Sequence, residues 1–234
     1  MRYEYLSDGF IEYPENEFIE KIRFVYDIYD NNTHRGSCTV YYYHEPPRTI
    51  FVECTIYNRL LGYPVSEDGK TLFVSSWENG LIAYDIATNE VLWRLKSTRI
   101  KKVTAYSTYV AAVKYGEAIL KLDLHTGEVL GQMKSGTIER SWELQAPYIL
   151  VSNFRGKLSV VNTKEMSVAK AYKEKTINPN SCCSLLIQEV KENDNALIIS
   201  GLEEYPNWNF GAKGQKPFER IIDTNLYEIP QCEG

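Results

Sequence analysis

A phrase recurs in this chain at a spacing near forty residues, and that spacing limits the fold more than any other feature. Leu81–Trp93 reads Leu-Ile-Ala-Tyr-Asp-Ile-Ala-Thr-Asn-Glu-Val-Leu-Trp, and Ile119–Leu130 reads Ile-Leu-Lys-Leu-Asp-Leu-His-Thr-Gly-Glu-Val-Leu. Asp85 and Asp123 stand 38 positions apart, and a weaker third copy, Leu158–Met166, puts Asn162 another 39 positions on. Within each copy an apolar run ends on Asp or Asn, and the first two copies reach a second apolar run six positions later, at Val91 and Val129. An Asp or Asn side chain accepts backbone N–H bonds from residues just ahead of it, and Gly or Asn supplies the positive φ of a tight hairpin. The phrase is therefore strand, turn and strand, and Asp85 and Asp123 are turn residues rather than catalytic ones.

The strand before each phrase repeats as well. Thr71–Ser75, Tyr109–Val113 and Tyr148–Ser152 are short apolar runs, each followed by a polar, glycine-bearing turn: Glu78-Asn79-Gly80, Tyr115-Gly116-Glu117 and Arg155-Gly156-Lys157. Uninterrupted apolar runs of this length fit strands buried on both faces. Each unit is then a four-stranded antiparallel sheet, at about residues 61–98, 101–135 and 139–173. Such units at a forty-residue period are the mark of a β-propeller. The expected fold class is all-β, a small propeller of four-stranded blades within a single domain spanning residues 1–234. At this period 234 residues hold five blades, with four, six or an unclosed arrangement as alternatives. Closure is expected to pair N-terminal and C-terminal segments in one blade, because closure removes sheet edges.

The flanks are less regular. Thr39–His44 and Thr49–Cys54 form a strand pair around Glu45-Pro46-Pro47, Ile22–Tyr29 is a further strand, and Glu15–Phe24 also admits a short helix. Residues 1–60 are thus an irregular first blade. A last blade is expected over 182–234, from Leu185–Val190, Ala196–Gly201 and Phe218–Tyr227, with an aromatic, Gly-rich and Asn-rich insertion at 203–217.

The form Ala83-x-Asp85-x-x-Thr88-Asn89-x-x-x-Trp93 resembles the repeat of the PQQ-like and WD40-like propellers. The resemblance spans residues 61–173 and, more weakly, about 182–230. It implies a propeller in which the Trp closes each blade by packing on its neighbour. The second copy has Gly131 where the first has Trp93, and the third turn has no Gly. No ligand motif of that family is present, so none of its ligand residues carries over. The adjacent pair Cys182-Cys183 is similar to the vicinal disulfide of quinoprotein dehydrogenases. Those enzymes are far larger and exported, and their acidic metal and cofactor set has no counterpart here, so two reduced thiols are expected.

Motif chemistry is otherwise sparse. His34, His44 and His125 lack zinc-ligand spacing. Asp27-x-x-Asp30-Asn31-Asn32 lacks the alternating oxygens and final Glu of a calcium loop. Gly211–Lys216 is followed by Pro217 rather than the hydroxyl of a phosphate loop, and no Gly-x-Ser-x-Gly elbow occurs. No catalytic residue, cofactor or metal is expected. The odd count of five cysteines, and an N-terminus unlike a signal peptide, lead to an expectation of cytoplasmic residence. No membrane span is expected, and Asn31-Asn32-Thr33 is a glycosylation sequon of no consequence without secretion.

Charge and aromatic content point toward protein binding. Residues 1–30 carry the whole net charge of −5, and residues 31–234 balance to zero. Nucleic-acid binding is disfavoured, since it draws on clustered Lys and Arg. An acidic segment can steer a basic protein partner. Tyr is abundant at 18 residues, and Tyr205-Pro206-Asn207-Trp208-Asn209-Phe210 sits in the insertion, away from any expected core strand. The expected interaction residues are Tyr205, Trp208 and Phe210 with Glu15, Glu17 and Glu20. The leading reading is a non-enzymatic binder, in its concrete form a bacterial immunity-type protein that neutralises a basic toxin. Two alternatives remain: a small-molecule or hydrolase/lyase site in the central channel near Arg140, Trp142 and Glu143, and a plain assembly scaffold.

Overall fold

The computed structural model describes residues 9–12, 17–29, 33–54, 65–76, 80–134, 138–153, 157–172, 184–193, 196–205 and 214–223. Among these the fold is all-β, with strands and no helix. The chain divides into two compact units, Met1–Lys134 and Ser135–Gly234.

The first unit holds three antiparallel sheets. Sheet 1 is ordered β1 (Gly9–Glu12), β2 (Ile19–Tyr29), β3 (Thr33–Tyr42), β4 (Arg48–Cys54). Sheet 2 is ordered β5 (Thr71–Ser76), β6 (Gly80–Asp85), β7 (Val91–Leu95). Sheet 3 comprises β8 (Ile100–Ala105), β9 (Tyr109–Lys114), β10 (Ala118–Asp123) and β11 (Val129–Lys134), in that spatial order.

The apolar runs become strands buried on both faces because successive side chains point to opposite sides of a sheet. Leu72, Val74, Ile82 and Tyr84 face one way and form a core with Ile22, Phe24, Val40, Ile50 and Val52 of sheet 1. Their sequence neighbours Phe73, Leu81 and Ala83 face the other way, into a core with Ile100, Val103, Val110, Ala112, Leu120 and Leu122 of sheet 3. Sheet 2 is thereby sandwiched, and each fully buried aliphatic side chain contributes ~1.5–3 kcal/mol by leaving water.

The second unit holds sheets 4 and 5. Sheet 4 is ordered β12 (Ile138–Glu143), β13 (Tyr148–Asn153), β14 (Leu158–Asn162), β15 (Ser167–Ala171). Sheet 5 is ordered β16 (Ser184–Asn193), β17 (Ala196–Tyr205), β18 (Gly214–Asp223). Their shared core joins Leu150, Leu158, Val160 and Tyr172 to Ile187, Leu197, Ile199, Phe218 and Ile222. The Tyr172 hydroxyl donates to the Asp223 carbonyl at 3.2 Å. Its burial, with the nearby Asp223 charge, pushes the Tyr172 pKa up to about 12. In sheet 5 the buried Glu203 accepts from Arg220 at 2.9 Å, which supplies the counter-charge that a buried carboxylate requires.

Two expectations change. Glu15–Phe24 holds no helix among its described residues: Ile19–Phe24 lie in β2. A register shift between Ile19 and Lys21 adds one residue, so the buried Ile19 and Ile22 stand three apart and imitate helical spacing. The insertion at 203–217 is shorter than its composition implies. Glu203 pairs with Lys216, Glu204 with Gln215 and Tyr205 with Gly214, so β17 and β18 extend into it and leave 206–213 between them. Among the described residues no sheet mixes N-terminal and C-terminal strands. β1 supplies the fourth strand of sheet 1 from the adjoining chain, and β16–β18 are consecutive.

Candidate interaction surface

The recurring phrase builds the same turn three times. Asp85 accepts the Thr88 N–H at 2.8 Å, Asp123 accepts those of His125 and Thr126 at 3.0 and 2.8 Å, and Asn162 accepts those of Lys164 and Glu165 at 3.0 and 2.9 Å. The backbone and hydroxyl donors of Thr126 hold the Asp123 carboxyl below its ordinary range. A bulge falls at the same place in each copy, at Ala83/Tyr84, Lys121/Leu122 and Val160/Val161. The turn then passes through the left-handed region at Asn89, Gly127 and Met166, with φ of 60°, 70° and 54°.

This turn is a docking point for the preceding sheet. Trp93, on the last strand of sheet 2, donates its indole N–H to the Leu124 carbonyl at 3.1 Å. Its ring lies so close to Gly127 that an added Cβ would sit 2.5 Å from Trp93 Cε3. Phe73 meets the same ring, with centroids 5.8 Å apart. One turn earlier, Asn89 accepts the backbone N–H of Phe51, on the last strand of sheet 1, at 3.2 Å. Blade-to-blade contact through Trp93 is what the sequence resemblance implies.

A family model described as outer membrane protein assembly factor BamB matches residues 45–175, more than half of the chain. The chain belongs to this family. The match thus runs from the last strand of sheet 1 to the end of sheet 4. Three solved structures share the β-propeller fold. BamB from Moraxella catarrhalis aligns with TM-score 0.54 and 12% identity over 90% of this chain. The β-propeller domain of Cps50 (Swd1) from Myceliophteria thermophila gives TM-score 0.58 and 8% identity over 93% of this chain and 72% of that one. A chain of the mitotic checkpoint complex gives 0.57 and 11% over 96% of this chain and 70% of that one. This BamB-family chain spans 63% of the Moraxella BamB chain. No curated protein matches the sequence.

The surface that remains open has a pattern. Phe51 (β4), Leu92 (β7), Val129 and Leu130 (β11), Val168 (β15) and Ile221 (β18) are all exposed, with Ile221 at 70%. Among the described residues, every exposed large apolar side chain that lies in a strand lies on the last strand of its sheet. Edge strands can offer backbone groups as well as apolar area, although the Phe51 N–H is already taken by Asn89. Sequence reading missed these residues because Val129-Leu130 and Val91-Leu92 look like core.

Sheet 3 also separates charge along its strands. Lys96, Arg99, Lys101, Lys102, Lys114 and Lys134 gather at one end, where Lys114 and Lys134 flank Ala118 in register. Asp123 and Glu128 lie in the turn at the other end. The even charge balance over residues 31–234 conceals this; a count over residues 94–121 alone would have found seven bases against Glu117.

The sequence-derived candidates fare unequally. Trp208, Phe210 and Glu15 lie outside the described residues, and of Tyr205 only its pairing with Gly214 is described. Glu17 is exposed, and Glu20 pairs with Lys21 at 3.1 Å. Among the described residues no group of three His, Cys, Asp or Glu stands together as metal ligands. Cys38 is a buried free thiol, and Cys182-Cys183 lies outside the described residues. On β12, Arg140 donates to the Ile187 carbonyl at 2.6 Å and Trp142 packs against the sheet 4–sheet 5 core. Two of the three supposed channel residues therefore hold sheet 5 in place.

Proposed function

We propose that this chain is a non-enzymatic protein-binding propeller that works as an assembly scaffold. The observation that carries this reading is that exposed apolar side chains recur on the last strand of each sheet, at Phe51, Leu92, Val129, Leu130, Val168 and Ile221. Apolar side chains collected on edge strands offer contact area to a partner and leave backbone groups for strand-like pairing. Membership of the BamB family, described as an assembly factor, points the same way. A channel site at Arg140, Trp142 and Glu143 has weaker support, since Arg140 and Trp142 already serve the fold.

The finer form, an immunity-type protein holding a basic toxin, rests on the acidic first thirty residues. It requires Glu15, Glu17 and Glu20, with Tyr205, Trp208 and Phe210, to meet that partner. Charge reversal at the three glutamates combined with Trp208→Ala then abolishes retention of the toxin; undiminished retention rules out that surface. The broader reading is tested by Leu92→Ser with Leu130→Ser. The double variant stays folded, because both side chains are about half exposed, yet loses its co-purifying partner. Retention of the partner at parental yield would refute the assignment to these edges.

A further inference from the structure

We propose that the basic end of sheet 3 docks an acidic, Asp/Glu-rich segment of a partner protein; the inference rests on the protein-binding reading and names a second contact surface. The residues come together by topology. β7 ends at Leu95, and the link to β8 carries Lys96 and Arg99, both exposed. Ile100 pairs with Lys114, Lys114 with Ala118, and Ala118 with Lys134, so one row across the sheet brings two strand-end lysines beside the link. The Tyr115 N–H donates to the Arg99 carbonyl at 2.8 Å, which fixes the β9–β10 turn against that link. Lys101 and Lys102 follow on β8.

Lys96, Arg99 and Lys134 are exposed at this end, beside Lys114 and its carboxylate partner Glu117. Like charges gathered at one end of a sheet repel one another. Glu117, held by Lys114 and Arg99, indicates the ligand chemistry. Glu117 lies 2.6 Å from Lys114, and it is half-exposed, so water or another carboxylate can replace it. The Lys114 hydrogen bond, together with the Lys114 and Arg99 charges, holds the Glu117 carboxyl below its ordinary range. Arg99 adds an exposed fork that matches a carboxylate with two parallel N–H bonds. Nucleic acid fits less well. The chain as a whole is anionic, and the Tyr115 ring is already faced by Lys101 at 5.0 Å instead of being open to a base.

The test uses the full chain and a fluorescein-labelled peptide of about a dozen alternating Asp and Glu residues, read by anisotropy at low and physiological ionic strength. The parent binds, and binding weakens with salt. The triple reversal Lys96→Glu, Arg99→Glu, Lys134→Glu weakens it about tenfold or more, since three exposed charge contacts are inverted together. Lys70→Glu, Lys164→Glu, Lys216→Glu makes the same change in net charge elsewhere and leaves binding within about twofold of the parent. Thermal melts accompany both, and Lys96→Gln with Arg99→Gln replaces the reversal where that lowers the Tm. No binding by the parent, or equal weakening in both triples, overturns the proposal. So does a charge-matched single-stranded DNA that binds more tightly than the peptide and loses affinity in the same variant. Should the peptide fail while Leu92→Ser with Leu130→Ser still releases the partner, this surface alone is discarded.

Discussion

Two neighbouring seams in the first unit meet the same turn and are closed by different chemistry. Between sheets 2 and 3, a buried indole lies on Gly127 and donates to Leu124. Between sheets 1 and 2, the equivalent left-handed position is Asn89, and its side chain takes a backbone N–H from Phe51. In one seam the preceding sheet brings a side chain to a bare backbone. In the other the turn brings a side chain to a bare backbone. What is constant is the left-handed backbone, which Gly adopts freely and Asn89, like Met166 in the third copy, adopts at some strain. The repeat thus conserves a backbone shape and lets the chemistry across it vary.

The contrast can be broken most severely at the indole. Trp93→Ala removes a buried ring and a hydrogen bond, and is expected to destabilise the chain by about 3–5 kcal/mol in denaturant unfolding. A loss below about 1 kcal/mol would mean that the ring does not hold the seam. Gly127→Ala attacks from the other side. A Cβ would press on the ring and would occupy the left-handed region, for an expected loss of about 2–3 kcal/mol. Asn89 sharpens the comparison, because its two roles separate. Asn89→Gly keeps the backbone freedom and loses the bond to Phe51, an expected loss of about 1 kcal/mol, whereas Asn89→Ala also strains the turn and costs more. Equal losses in the two variants would show that the Phe51 bond, not the backbone, decides.

The smallest effect belongs to Asp123. Its folded carboxyl is held below the ordinary value, so its contribution is complete above the unfolded pKa and fades as pH falls through the folded one. Side-chain NMR should show Asp123 titrating below a free aspartate. A titration at or above the free value would contradict the Thr126 bonds.

The turns were legible in the sequence because Asp, Thr and Gly or Asn act locally, and the packing of Trp93 on a neighbour was implied by the resemblance to PQQ-like and WD40-like repeats. Other parts were hidden by specific physical causes. The bulge in β2 gave Ile19 and Ile22 the spacing of a helix. In the β17–β18 hairpin, Glu203–Tyr205 and Gly214–Pro217 carry few apolar residues, so paired strands resembled a loop. Leu92 and Leu130 occupy strand positions like those of core residues, and only sheet order reveals that β7 and β11 come last. The basic end of sheet 3 is assembled from strand ends and links separated by up to 38 positions, so a whole-chain charge count averages it away. Trp208 and Phe210 lie outside the described residues, and the insertion they occupy contributed only its flanking strands.

The central claim is that the last strands meet a protein partner, and site-specific photocrosslinking in the native cells tests it most directly. A photoreactive phenylalanine analogue would replace Leu92, Val129 or Leu130 in turn, with exposed Lys157, off the last strands, as control. The account predicts one discrete adduct, shared by the last-strand positions and missing from the control. Adducts of the same pattern at all four positions, or none at any of them with the protein folded, would contradict it.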